Sequence, residues 1–122
     1  MSGAIFRRAA ASVSLLFVLA APLGAGNPRA AAREQVEFGI SVAMRGLWQE
    51  AIYRWEKAIE IDPTYAAAYN NLAVAYEHEG MLDKAREAYE RALEIDPDNV
   101  TIRQNFEMFR EIHERVEQRK VS

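Results

Sequence analysis

The chain has 122 residues, enough for one small domain with one accessory segment. Its 15 Lys+Arg stand against 18 Asp+Glu, so no basic excess favours nucleic acid, where affinity comes mainly from phosphate neutralisation. It has no cysteine, which excludes disulfides, thiolate zinc sites, thiol nucleophiles and a lipid-modified N-terminal cysteine.

The N-terminus differs from the rest. Arg7 and Arg8 precede Ala9–Ala21, a run of 13 uncharged residues that is broken by Pro22 and followed by Gly24, Ala25 and Gly26. A positive start, a short apolar run and small residues beyond it predict a secretory signal peptide over 1–26. Ala25 and Gly26 are the best candidates for the last residue removed; a cut after Ala32 would take away the start of the first helix. A permanent transmembrane helix needs about 20 apolar residues, and 9–26 reaches that length only by including Pro22, two Gly and two Ser. An uncleaved membrane anchor is the alternative. All acidic residues lie after position 33, and 27–31 reads as a short linker.

From there the sequence repeats. Lys57–Pro63 returns as Arg91–Pro97 with five of seven positions identical, at an offset of 34 residues. The same offset relates Gly46 to Gly80, Ala51 to Ala85, Trp55 to Tyr89 and Glu56 to Glu90. A fixed period in this range is the mark of a repeat architecture. Each unit reads as two helices. In the second unit Tyr69, Leu72, Ala73 and Tyr76 share one helical face, and Gly80 ends that helix. Leu82, Ala85, Tyr89 and Ala92 form a second face, which Pro97 stops. The first unit follows with Phe38 and Val42, Gly46, then Ala51, Trp55, Ala58 and Pro63. Glu50–Arg54, Glu87–Arg91 and Glu111–Arg115 have the i, i+4 spacing of ion pairs on solvated faces. A fifth helix, capped by Asp98 or Asn99, carries Phe106, Phe109, Ile112 and Val116 as its apolar stripe. No second helix follows it, so 100–122 reads as the capping helix and tail of the array.

A helix–turn–helix unit of this period, with a central Gly, small Ala positions and a closing Pro, resembles the tetratricopeptide repeat. The resemblance covers 32–65 and 66–99. It implies an all-α solenoid: two repeats and a C-terminal capping helix. Gln35 and Val42 replace the usual aromatics in the first unit, which predicts a looser first helix. In this family the first helix of each unit lines a concave groove. By resemblance, the groove residues here are Arg33, Val36, Glu37, Ile40, Ala43 and Met44 from the first unit, Asn70, Asn71, Val74, Glu77 and His78 from the second, and Gln104, Asn105 and Met108 from the final helix. Some co-chaperone members grip a partner's terminal carboxylate with Lys, Asn and Arg at set positions. Asn71 matches one of these, but Val36, Ile40, Thr101 and Asn105 stand at the others, so that clamp is absent.

Catalytic signals are missing. His78 and His113 have no converging ligand set in the sequence, and there is no phosphate-binding Gly loop, nucleophile elbow or HExxH. The expectation is a non-enzyme without cofactor or metal. It would bind a peptide or helix of a partner protein in the periplasm or outside the cell. The alternative is a structural subunit of a membrane-associated assembly, anchored by the N-terminal segment or self-associating as a homo-oligomer.

Overall fold

A computed structural model describes residues 26–122; all of the predicted signal peptide 1–26 except Gly26 lies outside them. The described residues form α1 (Pro28–Ala43), α2 (Trp48–Ile61), α3 (Ala66–His78), α4 (Leu82–Ile95) and α5 (Val100–Val121). α1 starts inside the stretch read as linker. Asn27 caps it and Pro28 opens its first turn, where a missing N–H costs nothing.

The two units end their first helices alike. Gly46 and Gly80 hold φ of +77° and +75°, the left-handed region that only Gly enters freely. Leu47 N–H then reaches Val42 O at 3.0 Å, and Met81 N–H reaches Tyr76 O at 2.8 Å. These bonds satisfy carbonyls that the helix end leaves open. The second helices stop at Asp62 and Asp96, each followed by Pro.

α1 packs on α2 and α3 on α4; α3 also covers α2, and α5 covers α4. Small residues set the spacing. Ala51, Ala58, Ala85 and Ala92 are fully buried, so neighbouring helices approach closely there. Trp55 and Tyr89 fill the space this opens. At the end of the array Tyr89, Phe106 and Phe109 cluster with ring centroids 5.5–6.2 Å apart.

α5 runs past the point where α1 and α3 turn. Glu114 stands one repeat beyond Gly80. Its carboxylate accepts from Arg86 at 3.0 Å and Arg110 at 3.3 Å, and the Arg86 hydrogen bond is the main reason its pKa lies below the ordinary value. A residue that would have turned the chain thus ties α5 to α4. Glu107 and Arg110 occupy the positions of Gly39/Ala73 and Val42/Tyr76, which pack against a second helix in the earlier units. A helix packed on that face would have to desolvate both charges.

The predicted ion pairs fare unevenly. Glu50–Arg54 forms at 3.0 Å. Arg91 pairs with Glu94 instead of Glu87, and on α5 the pair is Arg110–Glu114 rather than Glu111–Arg115. All lie on solvated faces, where competing partners differ little in energy. Of the α5 stripe, Phe109 is buried and Phe106 half-buried, whereas Ile112 is exposed. The Val116 side chain lies outside the described residues.

Candidate binding groove

α1 and α3 both pack on α2, and among the described residues one face of each is uncovered. Ile40, Ala43 and Met44 from α1, Asn70, Asn71 and Val74 from α3, and Asn105 from α5 border a depression of about 400 Å³. Trp48 and Trp55 of α2 reach into it between the two helices. The sequence reading placed all seven, Ile40, Ala43, Met44, Asn70, Asn71, Val74 and Asn105, in one groove, and the structure brings them together. No side chain lining it carries a charge.

The apolar lining is accessible. Met44 is 84% exposed, and Ile40 and Val74 are also exposed. Such a surface gains free energy when covered. Met adapts its shape to an occupant. The Asn residues are the polar component. Asn105 Nδ2 donates to Asn70 Oδ1 at 3.1 Å, joining α5 to α3 across the floor. Each amide keeps further donor and acceptor capacity, as Asn71 does.

Seven predicted groove residues fall outside the lining: Arg33, Glu37 and Gln104 are exposed elsewhere, Glu77 is engaged by Tyr89 and His113, and Val36, His78 and Met108 take other places. Val36 is only 4% exposed. The Trp55 ring turns its Nε1–H onto Val36 O at 3.1 Å, so Val36 is core rather than partner-binding surface. His78 is stacked on Trp48, with centroids 4.2 Å apart and an interplanar angle of 22°. It lies outside the lining of the depression, 3.7 Å from the Glu79 carboxylate. Met108 is exposed on α5, beyond the depression. The sequence reading did not include the indoles. Trp48 begins a second helix, and Trp55 fits the core pattern of one. Only packing shows that both rings line the depression, Trp48 half-buried at its wall and Trp55 buried beneath it.

Other concavities are less suited to an apolar ligand. Along α5 one is walled by Glu107, Arg110, Glu111, Glu114, Arg115 and Gln118. On the opposite side of the array, Tyr69 and Tyr76 flank a notch over Leu72 and Ile59, rimmed by Lys84, Glu87 and Arg91. Its tyrosines are engaged. Tyr76 Oη donates to Glu56 at 3.0 Å, and burial pushes its pKa up to about 12. Elsewhere, Glu77 accepts from Tyr89 Oη at 3.2 Å and lies 3.0 Å from His113 Nε2. This network joins α3, α4 and α5. Burial holds the Tyr89 phenol above its ordinary pKa. Among the described residues no three His, Cys, Asp or Glu side chains converge on a metal position, and no helix is long and apolar enough to cross a membrane.

Comparison with known proteins agrees with this geometry. The family model described as "Tetratricopeptide repeat" matches residues 66–99, and one described as "TPR repeat" matches 44–80. α1 lies outside both matches. The crystal structure of MamA is similar, with a TM-score of 0.62 and 32% identity over 66% of this chain. The chain spans 47% of the MamA chain, about half its length. No curated protein matches. The described residues form an all-helical α-solenoid whose residues 44–99 match tetratricopeptide-repeat models, an architecture associated with binding other proteins.

Proposed function

We propose that the chain is a non-catalytic binding module that holds an uncharged segment of a partner protein in the groove between α1 and α3, outside the cytoplasmic membrane. The groove lining carries the reading. It is apolar at Ile40, Met44 and Val74, amide-bearing at Asn70, Asn71 and Asn105, and free of charge. An apolar stretch of partner would be covered there while the amides bond its backbone. Export rests on the run Ala9–Ala21 behind Arg7 and Arg8.

The test is site-specific crosslinking in the native compartment. A photoreactive residue at Met44 or Val74 should capture a discrete partner, and one at Arg54, on α2, should not. Val74→Glu should abolish capture with the helical signal unchanged, because the new carboxylate would be desolvated without a counter-charge. Asn71→Ala should weaken binding by about 0.5–1.5 kcal/mol, the worth of one neutral hydrogen bond. Added salt should alter affinity little, since no charge lines the groove. Capture at Arg54 with none at Met44 or Val74 would place the binding surface on the second helices and overturn the reading.

A further inference from the structure

We infer that the chain pairs with a second copy of itself through the outer face of α4, on the opposite side of the array from the groove. The inference does not rest on the groove reading, because no residue of that lining takes part in it.

The charges of α4 carry the argument. Lys84, Glu87, Arg91 and Glu94 alternate in sign and are spaced three and four residues apart, so helical period puts them on one stripe. Asp83 and Glu90 lie further round the helix. A second α4 running antiparallel, related by a two-fold axis beside Tyr89, sets Lys84 against Glu94 of the second copy and Glu87 against its Arg91. The symmetry repeats both contacts, so every charge of the stripe meets an opposite one. The stripe is neutral in sum and adds no net repulsion to the approach.

The side chains are placed to make these contacts. Lys84 and Glu87 are exposed, and neither has an ion-pair partner among the described residues. Arg91 is bonded to Glu94 at 2.9 Å, yet the two side chains are 49% and 66% exposed, enough to admit Glu87 and Lys84 of the second copy. Lys84 and Arg91 lie over Tyr76 and Tyr69, 5.6 and 5.9 Å from the ring centroids, at the edge of the notch described above. That notch, about 320 Å³, supplies the apolar part of the surface. Ala88 lines it between the two cations, and its single methyl group lets a neighbouring helix come close. Each copy thus offers α4 as a ridge and the notch as a furrow, as a two-fold contact requires.

The first unit provides the contrast. One repeat earlier the same positions are Glu50, Tyr53, Lys57 and Glu60 on α2. The same two-fold would set Glu50 against Glu60 of the second copy, and like charges would oppose it. The self-complementary stripe therefore belongs to α4 and is not a general product of the repeat.

The experiment is sedimentation velocity on the purified full chain over a wide range of concentration, in salt of about 0.05 M and about 0.5 M. A monomer–dimer equilibrium at low salt that shifts to monomer at high salt is expected, since exposed pairs are screened. Monomer at every concentration in low salt, or association indifferent to salt, overturns the inference. Lys84→Glu should weaken dimerisation by about tenfold or more, because like charges then face each other twice. Glu94→Lys should do the same. The double variant Lys84→Glu/Glu94→Lys restores opposite charges and should recover the dimer. Single variants that dimerise normally, or a double variant no better than either, overturn the assigned surface. Val74→Glu in the groove and Glu60→Lys on α2 should dimerise like the unchanged chain. Loss of the dimer in Val74→Glu would move the self-contact to the groove and also overturn the assignment.

Discussion

The two units solve one packing problem with different pairs of residues. In the first, the helices α1 and α2 meet at Gly39 and Trp55; in the second, α3 and α4 meet at Ala73 and Tyr89. A Cβ built on Gly39 would stand 2.3 Å from Trp55 Nε1 and 2.7 Å from its Cδ1. The larger ring thus requires the smaller partner. Gly inside a helix is less favourable than Ala by about 1 kcal/mol. The indole offsets this through its buried area and its bond to Val36 O. Tyr89 keeps the helix-favouring Ala73 opposite it and sends its hydroxyl to Glu77. The lesson is that the repeat conserves the summed volume at the contact, not the residue at either position.

The outer faces differ as well. The second unit is roofed by Phe109, 1% exposed, whereas Phe38 on the open side of the first unit is 46% exposed. Among the described residues, the Arg54 guanidinium lies over Phe38, 4.3 Å from its ring centroid.

The largest effect is expected at that difference. Phe109→Ala should destabilise by about 3–5 kcal/mol, the usual cost of emptying a buried phenyl site. Phe38→Ala should cost about 1 kcal/mol or less, from a weak exposed cation–π contact. Urea denaturation of both variants checks the contrast, and equal losses would show that both ends contribute alike.

Next comes the swap at the unit contact. Gly39→Ala should cost about 1–3 kcal/mol through overpacking, although Ala is the better helix former. Trp55→Tyr added to it rebuilds the second unit's pair and should recover part of that loss. A double-mutant cycle in thermal denaturation measures the coupling. Simple additivity would mean that the ring and the glycine do not contact each other.

A smaller gain is expected from Gln35→Met. Gln35 takes the repeat position of Tyr69, and its Oε1 is buried without a hydrogen-bond partner. Replacing an unsatisfied polar group by an apolar one of similar length should stabilise by about 1 kcal/mol and raise Tm by a few degrees.

The smallest effect separates the turns that close the two units. Asp62 is bonded by Thr64 and then by Arg29, and these bonds lower its pKa from 3.8 to about 2. Asp96 has instead the neutral amide of Asn99, at 3.0 Å. For Asp62 the folded state binds its proton less readily than the unfolded chain. Its contribution is therefore full above about 4 and fades as pH falls towards 2. Arg29→Ala should reduce this acid dependence, as followed by circular dichroism between pH 5 and 2. An identical acid limb in the variant would show that Arg29 has no part in it.

Much of this was legible in the chain itself. The offset between Lys57–Pro63 and Arg91–Pro97 located both second helices, because a repeat imposes the same local chemistry twice. Gly46 and Gly80 marked two turns, and Asn99 a cap, because these residues act through their own backbone or their nearest neighbours. The start of α1 was misread as linker because Asn27 and Pro28 precede any apolar period. The ion pairs were only partly readable. Spacing lists possible partners on a helix, but Glu114 found Arg86 on another helix.

The groove divides the same way. Local pattern and resemblance put Ile40, Met44, Asn70, Asn71 and Val74 on one side of the array, since helical period fixes which residues share a face. The period did not show that Val36 O accepts from Trp55, that His78 is stacked on Trp48, or that two indoles of α2 line the depression. Those outcomes depend on distances between helices, and these follow from the volumes of residues far apart in sequence. The sequence by itself determined the period, the helices and the faces. Tertiary packing alone decided which side chains on the binding face stay accessible, because burial is shared between segments and belongs to no single one.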